Sequence, residues 1–311
     1  MITHRYHLFR GQRRVPAAIK LHQLRAFVDV TLQGSIRAAS RMSGTSQPAL
    51  SKAIQELEQF LGARLFIRQQ QGVVLTDIGQ RFYQHASLML EELRLAQEGV
   101  KQQLGLGGGK VNIGVGSCIA RTIMPKVITR FHHEYPNVQV RITEGQLVSM
   151  LPELRQGLLD FTINTYDEHN FDNELSYQRI LQKEYRVVVR RGHPYAQAKS
   201  LQALQHCDWT LPTPKGSYYR LLKDTFAGIN MTPKVMINCE TFMVCTSLVA
   251  NSDFVTILSE DVVTDPHFSH QLVALDLEQP LPKASFYLIQ RRDTALTPMS
   301  AYLAQLFCRH S

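Results

Sequence analysis

The chain is poor in the features that mark several protein classes. Its 311 residues hold five cysteines (Cys118, Cys207, Cys239, Cys245, Cys308), an odd count with no CxxC pair. That excludes a disulfide-stapled small domain and offers no zinc-ligand spacing, whereas a reduced, cytoplasmic protein fits. No apolar run approaches the roughly 20 residues a membrane-spanning helix needs. The basic start (His4, Arg5, His7, Arg10, Arg13, Arg14) leads into no apolar stretch, so it reads as a solvated arm rather than a secretory signal. GxSxG, HExxH and P-loop patterns are missing. Gly114-Val115-Gly116 resembles the opening of a dinucleotide loop, but Ile119 stands where the third glycine belongs. His132 and His133 are neighbours on a helical pattern and cannot face one metal as an i, i+4 pair does. The expectation is no catalytic residue, no metal and no cofactor. A nucleotide-dependent enzyme is the remotest reading.

Acidic residues are scarce at one end. Residues 1–76 carry 11 basic side chains against 3 acidic ones (Asp29, Glu56, Glu58), an excess of 8 that equals the net charge of the whole chain. Such a skew suits a polyanion, and phosphate attraction is its obvious use. Within it lies SIRAASRMSGTSQPALSKAIQELEQFL (35–61), which reads as two helices and a tight turn. Ser35 and Ser46 suit the two N-caps, Gly44 a left-handed stop and Pro48 a first helical turn. Leu50, Ile54, Leu57 and Leu61 form one apolar face. Gln47, Ser51 and Gln55, with Lys52 beside them, form a face suited to base edges and phosphates. A solvated amphipathic hairpin would have the same periodicity; the charge skew favours the nucleic-acid reading.

Around this pair, 21–32 has helical spacing and 66–75 reads as a short β-hairpin, a wing, with Arg68 at its base and Gln69-Gln70-Gln71 towards its tip. Ile78, Phe82, Ala86, Met89, Leu93, Ala96 and Val100 lie at near-heptad spacing on a long helix, a seam for a second copy. GLGGGK (105–110) is a break. Beyond it strands and helices alternate. Strands at 111–116, 138–145 and 159–164, with helices at 117–135 and 147–156, give βαβαβ and a parallel sheet. A second unit follows, with strands at 185–190, 233–240 and 254–259, and 285–291 returns before a last helix at 298–309. The expected domains are a basic extension (1–19), a winged helix-turn-helix (20–76), a linker helix (77–104), a hinge (105–110) and a two-lobed effector domain (111–311). The lobes are 111–182 with 286–311, and 183–285.

This order, with Gly34-Ser35, Ala38-Ala39, Ser46-Gln47-Pro48-Ala49-Leu50-Ser51, Leu57-Glu58, Leu65-Phe66, Arg68, Leu75-Thr76, Leu154-Arg155, Gly157, Leu159-Asp160-Phe161 and Gly192-His193-Pro194, resembles the LysR-type transcriptional regulators. The resemblance implies an α+β chain with a winged helix-turn-helix, a dimerisation helix and a periplasmic-binding-protein-like α/β effector domain. It implies double-stranded DNA, a small effector and a homo-oligomer (a dimer through the linker, a tetramer in the family) as partners, with RNA polymerase a further one. It assigns DNA contact to Thr45, Ser46, Gln47, Pro48, Ser51, Lys52 and Arg68. The effector candidates are residues at strand ends and helix starts: Ser117, Cys118, Gln146, Leu147, Asn164, Thr165, Ser217, Tyr218, Thr241 and Phe242. Those donors and rings match an aromatic carboxylate such as p-aminobenzoyl-glutamate, and 144–166 and 211–219 bear a narrower resemblance to family members that govern its use. A redox-responsive member, through Cys118, and a free solute-binding protein are the alternatives. Two features depart from the family: the extension at 1–19 and the uncharged wing tip.

Overall fold

The computed structural model describes residues 18–69, 72–104, 108–166, 172–211, 217–239 and 241–310. The basic arm through residue 17, the wing-tip pair Gln70-Gln71, Gly105-Leu106-Gly107 and the 212–216 stretch lie outside the described residues, as does Glu240. The chain folds as two compact units, one ending at Glu91 and the other beginning at Glu92.

The first unit contains α1 (Leu21–Gln33), α2 (Ile36–Ser43), α3 (Gln47–Leu61), β1 (Phe66–Gln69), β2 (Gly72–Leu75) and the start of α4 (Asp77–Gln103). The caps fall where the side chains require them. Ser35 Oγ accepts from the Ala38 amide at 3.1 Å and Ser46 Oγ from the Ala49 amide at 3.4 Å. Between the helices Gly44 takes φ +68°, which an L side chain resists, and ends α2. The apolar face of α3 is buried as its spacing requires: Leu50, Ile54 and Leu57 are all core. Phe27, fully buried on α1, meets Phe66 at 5.2 Å and Phe82 at 5.4 Å between ring centroids. β1 and β2 pair antiparallel with Phe66 opposite Leu75 and Arg68 opposite Val73, which forms the wing.

The heptad-like stripe of α4 is split in use. Phe82 and Ala86 pack into the Phe27 core, whereas Ile78, Met89 and Val100 remain more than half exposed.

The second unit holds the end of α4 and two lobes of one design. In the first lobe β3 (Gly109–Val115), α5 (Ser117–Thr122), α6 (Met124–Glu134), β4 (Val138–Glu144), α7 (Leu147–Arg155) and β5 (Phe161–Thr165) are followed by β6 (Leu175–Lys183). The chain then builds the second lobe from β7 (Tyr185–Arg190), β8 (Asp208–Leu211), α8 (Ser217–Gly228), β9 (Lys234–Asn238), α9 (Phe242–Ala250), β10 (Thr256–Ser259), α10 (Asp261–Thr264) and β11 (Leu272–Ala274). It returns through β12 (Ala284–Arg291) to α11 (Pro298–Arg309). The first sheet has the order β4-β3-β5-β12-β6, with β4, β3 and β5 parallel and β12 antiparallel to both of its neighbours. In the second lobe β8 and β9 are parallel, a parallel bridge between Trp209 and Val255 joins them to the β10 side, and β10-β7-β11 is antiparallel. A parallel β-α-β core flanked by antiparallel strands thus recurs.

Three expectations change in detail. The helix expected over 117–135 is broken at Ile123, because Pro125 has no N–H to donate and its ring clashes with the preceding turn, so α6 starts afresh with Pro125 in its first turn. The second lobe's β-α-β unit starts on the short β8, not on 185–190, which crosses antiparallel beside β10. β6 and β11 are strands that the sequence reading lacks. No helix among the described residues is long and apolar enough to cross a membrane.

Candidate functional site

The first candidate site is the outward face of α3 with the wing. Thr45, Ser46, Gln47, Pro48, Lys52 and Arg68 are exposed and Ser51 is half-buried. The Ser40 hydroxyl donates to the Thr45 carbonyl at 2.7 Å and steadies the turn. Gln47 opens α3 and Ser51 lies one turn further on, so both side chains stand on one face. Lys52 is 78% exposed and only 4.0 Å from Glu56, a loose pair that leaves the ammonium available to a phosphate.

Two residues outside that set shape the site. A groove of about 600 Å³ runs between α3 and the wing, lined in part by Ser51, Gln55, Arg64 and Arg68. At its floor Glu58, 8% exposed, accepts from the Leu65 amide at 2.8 Å, the Phe66 amide at 3.3 Å and Arg64 Nη1 at 3.1 Å. This carboxylate ties α3 to the strand that carries Arg68. Sequence reading places Glu58 only among landmark residues; its signal is a glutamate on the apolar side of a helix, eight residues ahead of a strand. Arg64, with an exposed guanidinium, adds a cation at the groove and has no sequence signal beyond its charge.

The second candidate site lies where the lobes face each other. β3, β4 and β5 are parallel, so their carboxyl ends share one edge, and α5 and α7 start from it. Ser117 and Cys118 are half-buried in the first turn of α5. Gln146 is the N-cap of α7, and its Oε1 is buried without a hydrogen-bond partner among the described residues. Asn164 is buried, donating to Thr162 Oγ1 at 3.1 Å, and Thr165 is half-buried at the strand end. Leu147 packs with Met150 and Leu154 in a core cluster. Across from this edge, Thr241 is the exposed N-cap of α9 and Phe242 its half-buried first residue. Ser217 opens α8. Tyr218 is buried, stacked on Tyr185 at 4.4 Å, and its hydroxyl donates to the Pro282 carbonyl at 2.8 Å, so this ring is committed to the fold.

Two ion pairs cross between the lobes at this edge. Arg121 on α5 pairs with Asp265 at 2.5 Å and lies over the Phe242 ring at 4.8 Å and the Phe268 ring at 5.6 Å. Lys183, at the crossover between lobes, pairs with Asp261 at 3.1 Å. Burial pushes the Cys118 thiol above its ordinary range, outweighing Ser259, Lys183 and Arg121. It should therefore stay protonated at neutral pH. Iodoacetamide should alkylate Cys118 in the folded protein several-fold more slowly than a free cysteine at pH 7.5, by mass mapping; reaction faster than free cysteine would reverse this assignment. Gly114 and Gly116, the partial dinucleotide pattern, serve packing: a Cβ on Gly114 would sit 2.6 Å from Met150 Sδ, and one on Gly116 2.8 Å from Asn164 Oδ1. Among the described residues no group of His, Cys, Asp and Glu could hold a metal.

Comparison with known proteins settles the class. The family model "Bacterial regulatory helix-turn-helix protein, lysR family" matches residues 21–80, and "LysR substrate binding domain" matches 105–310. The chain belongs to the LysR family. It is a DNA-binding transcriptional regulator with an effector-binding domain. Among its relatives, PcaQ of Agrobacterium fabrum is 30% identical over 90% of this chain and 91% of its own. TdcA of Escherichia coli K12 is 27% identical over 94% of this chain and 93% of its own. The full-length crystal structure of the LysR-family regulator CbnR with its target DNA has the same fold, with a TM-score of 0.67, 19% identity, and coverage of 94% of this chain and 100% of that one.

Proposed function

We propose that this LysR regulator is cytoplasmic, reads its operator through α3 and answers to a small aromatic carboxylate held between the two lobes. The observation that carries the DNA half is the exposed polar face of α3, set beside a basic wing on the unit that holds the chain's charge excess. Gln47 and Ser51 lie in the major groove against base edges. Thr45, Ser46, Pro48 and Lys52 seat the helix, and Arg68 acts from the wing. One such domain makes a small interface, so two are held together through α4, whose exposed Met89 and Val100 supply the seam. The family's tetramer is the expected assembly.

Gln47→Ala should weaken operator binding by about 1–3 kcal/mol while sparing random DNA, since a glutamine can pair bidentately with adenine. Lys52→Ala should weaken both alike, because phosphates carry no sequence. Fluorescence titration of the two variants on operator and scrambled duplexes separates the roles, and equal losses on both duplexes for Gln47→Ala would reject the base-reading assignment.

p-Aminobenzoyl-glutamate is the proposed effector. Its support is the resemblance of 144–166 and 211–219 and the helix starts of α5, α7 and α9, whose free N–H groups suit carboxylates. Its binding would favour one closure of the lobes and so change the DNA geometry of the oligomer. Titration calorimetry with the full chain tests it; absence of heat removes this effector.

A further inference from the structure

The Arg121–Asp265 pair is built as more than a tie between lobes. Arg121 projects from α5 in the first lobe; Asp265, Phe242 and Phe268 all belong to the second. The guanidinium side chain is only 20% exposed, and the two rings that contact it stand edge to face, 5.5 Å between centroids. It binds Asp265 through Nη1, and its Nε is buried without a hydrogen-bond partner among the described residues. An arginine in so dry a setting normally fills its planar fork with a bidentate carboxylate. Here Asp265 takes one N–H of Nη1, and Nε, on the guanidinium's other edge, has no partner among the described residues. Asp265 is turned partly away: its Oδ1 accepts from the His267 amide at 2.9 Å and meets the His267 ring at 3.0 Å, while Oδ2 takes the arginine.

We infer that Arg121 is the receptor for the carboxylate of an aromatic effector, and that Asp265 is an internal carboxylate occupying that receptor until the effector displaces it. Phe242 and Phe268 then face the effector's ring, and the spare Nε with the neighbouring Nη2 offers its carboxylate the side-on fork. The cleft rests closed on its own anion, and an arriving carboxylate exchanges one ion pair for a better one. This inference rests on the reading of the cleft as an aromatic-carboxylate site, and adds to it the residue that reads the charge and the one that competes.

The test uses the full chain and sodium benzoate, the smallest aromatic carboxylate, against sodium chloride at equal ionic strength. Benzoate should raise the melting temperature of Asp265→Ala by about 2–4 °C at several-fold excess over its dissociation constant. Wild type should shift by less than half as much at the same concentration, and Arg121→Ala/Asp265→Ala not at all. Asp265→Asn, which keeps the volume and removes the charge, should behave like Asp265→Ala and serves if the alanine variant folds poorly. Equal shifts in Asp265→Ala and the double variant would overturn the receptor role of Arg121. A wild-type shift as large as that of Asp265→Ala would overturn the competition. Failure of p-aminobenzoyl-glutamate to bind wild type would remove that effector, while the benzoate ordering still judges Arg121.

Discussion

Phe27→Ala should destabilise the DNA-binding unit by about 3–5 kcal/mol, the range for deleting a buried phenylalanine. The ring has no exposed surface and touches the wing strand through Phe66 and the linker helix through Phe82 and Tyr83. Three elements therefore lose a shared partner, and the site can collapse only by moving all of them. A small domain has about 5–15 kcal/mol in total, so the change removes a large part of it. Urea unfolding followed by far-ultraviolet circular dichroism should show an early transition brought forward, with the effector unit's transition unmoved. A single transition shifted as a whole would mean that the two units unfold together.

Glu58→Ala should produce the second-largest effect. It leaves the buried amide of Leu65 and the part-buried amide of Phe66 without their acceptor, a loss of about 1–3 kcal/mol. It also frees the wing from α3, so Arg68 no longer holds a fixed place beside that helix. DNA affinity should fall on operator and random duplex alike, and the slope of log affinity against log salt should shrink by about one charge per domain. Glu58→Gln retains an acceptor oxygen for Leu65 and should recover most of the stability. An alanine variant with normal wing contacts and an unchanged salt slope would show that β1 and β2 hold their place without this carboxylate.

The α2-turn-α3 pair is legible in the sequence because its signals are local. Caps, turn glycine and apolar spacing all belong to residues close along the chain, and the structure places Ser35, Gly44, Ser46 and Leu57 accordingly. The lobes are legible as alternating strands and helices, but strand direction is not, since it depends on which distant strand offers a free edge. β6 escapes sequence reading because its nine residues alternate weakly, with Arg179 and Gln182 among them, and it sits at the sheet edge where little is buried. β8 escapes it because four residues are too few to show a period. Arg121 has no signal at all. Its partners lie more than 120 residues away, and only the folded chain brings Phe242, Asp265 and Phe268 to one side chain. Tyr218 shows the converse, a residue at a promising helix start whose hydroxyl and ring are already taken by Pro282 and Tyr185.

The central claim is that the outward face of α3 discriminates sequence. Its most direct test is a titration of the full chain on the DNA upstream of its own gene and on a scrambled duplex of equal length, at one fixed salt concentration near 0.15 M. The account predicts binding at least about 10³-fold tighter to the upstream DNA, with Gln47→Ala closing much of that gap. Equal affinity for the two duplexes in wild type, or a Gln47→Ala variant as selective as wild type, would contradict it.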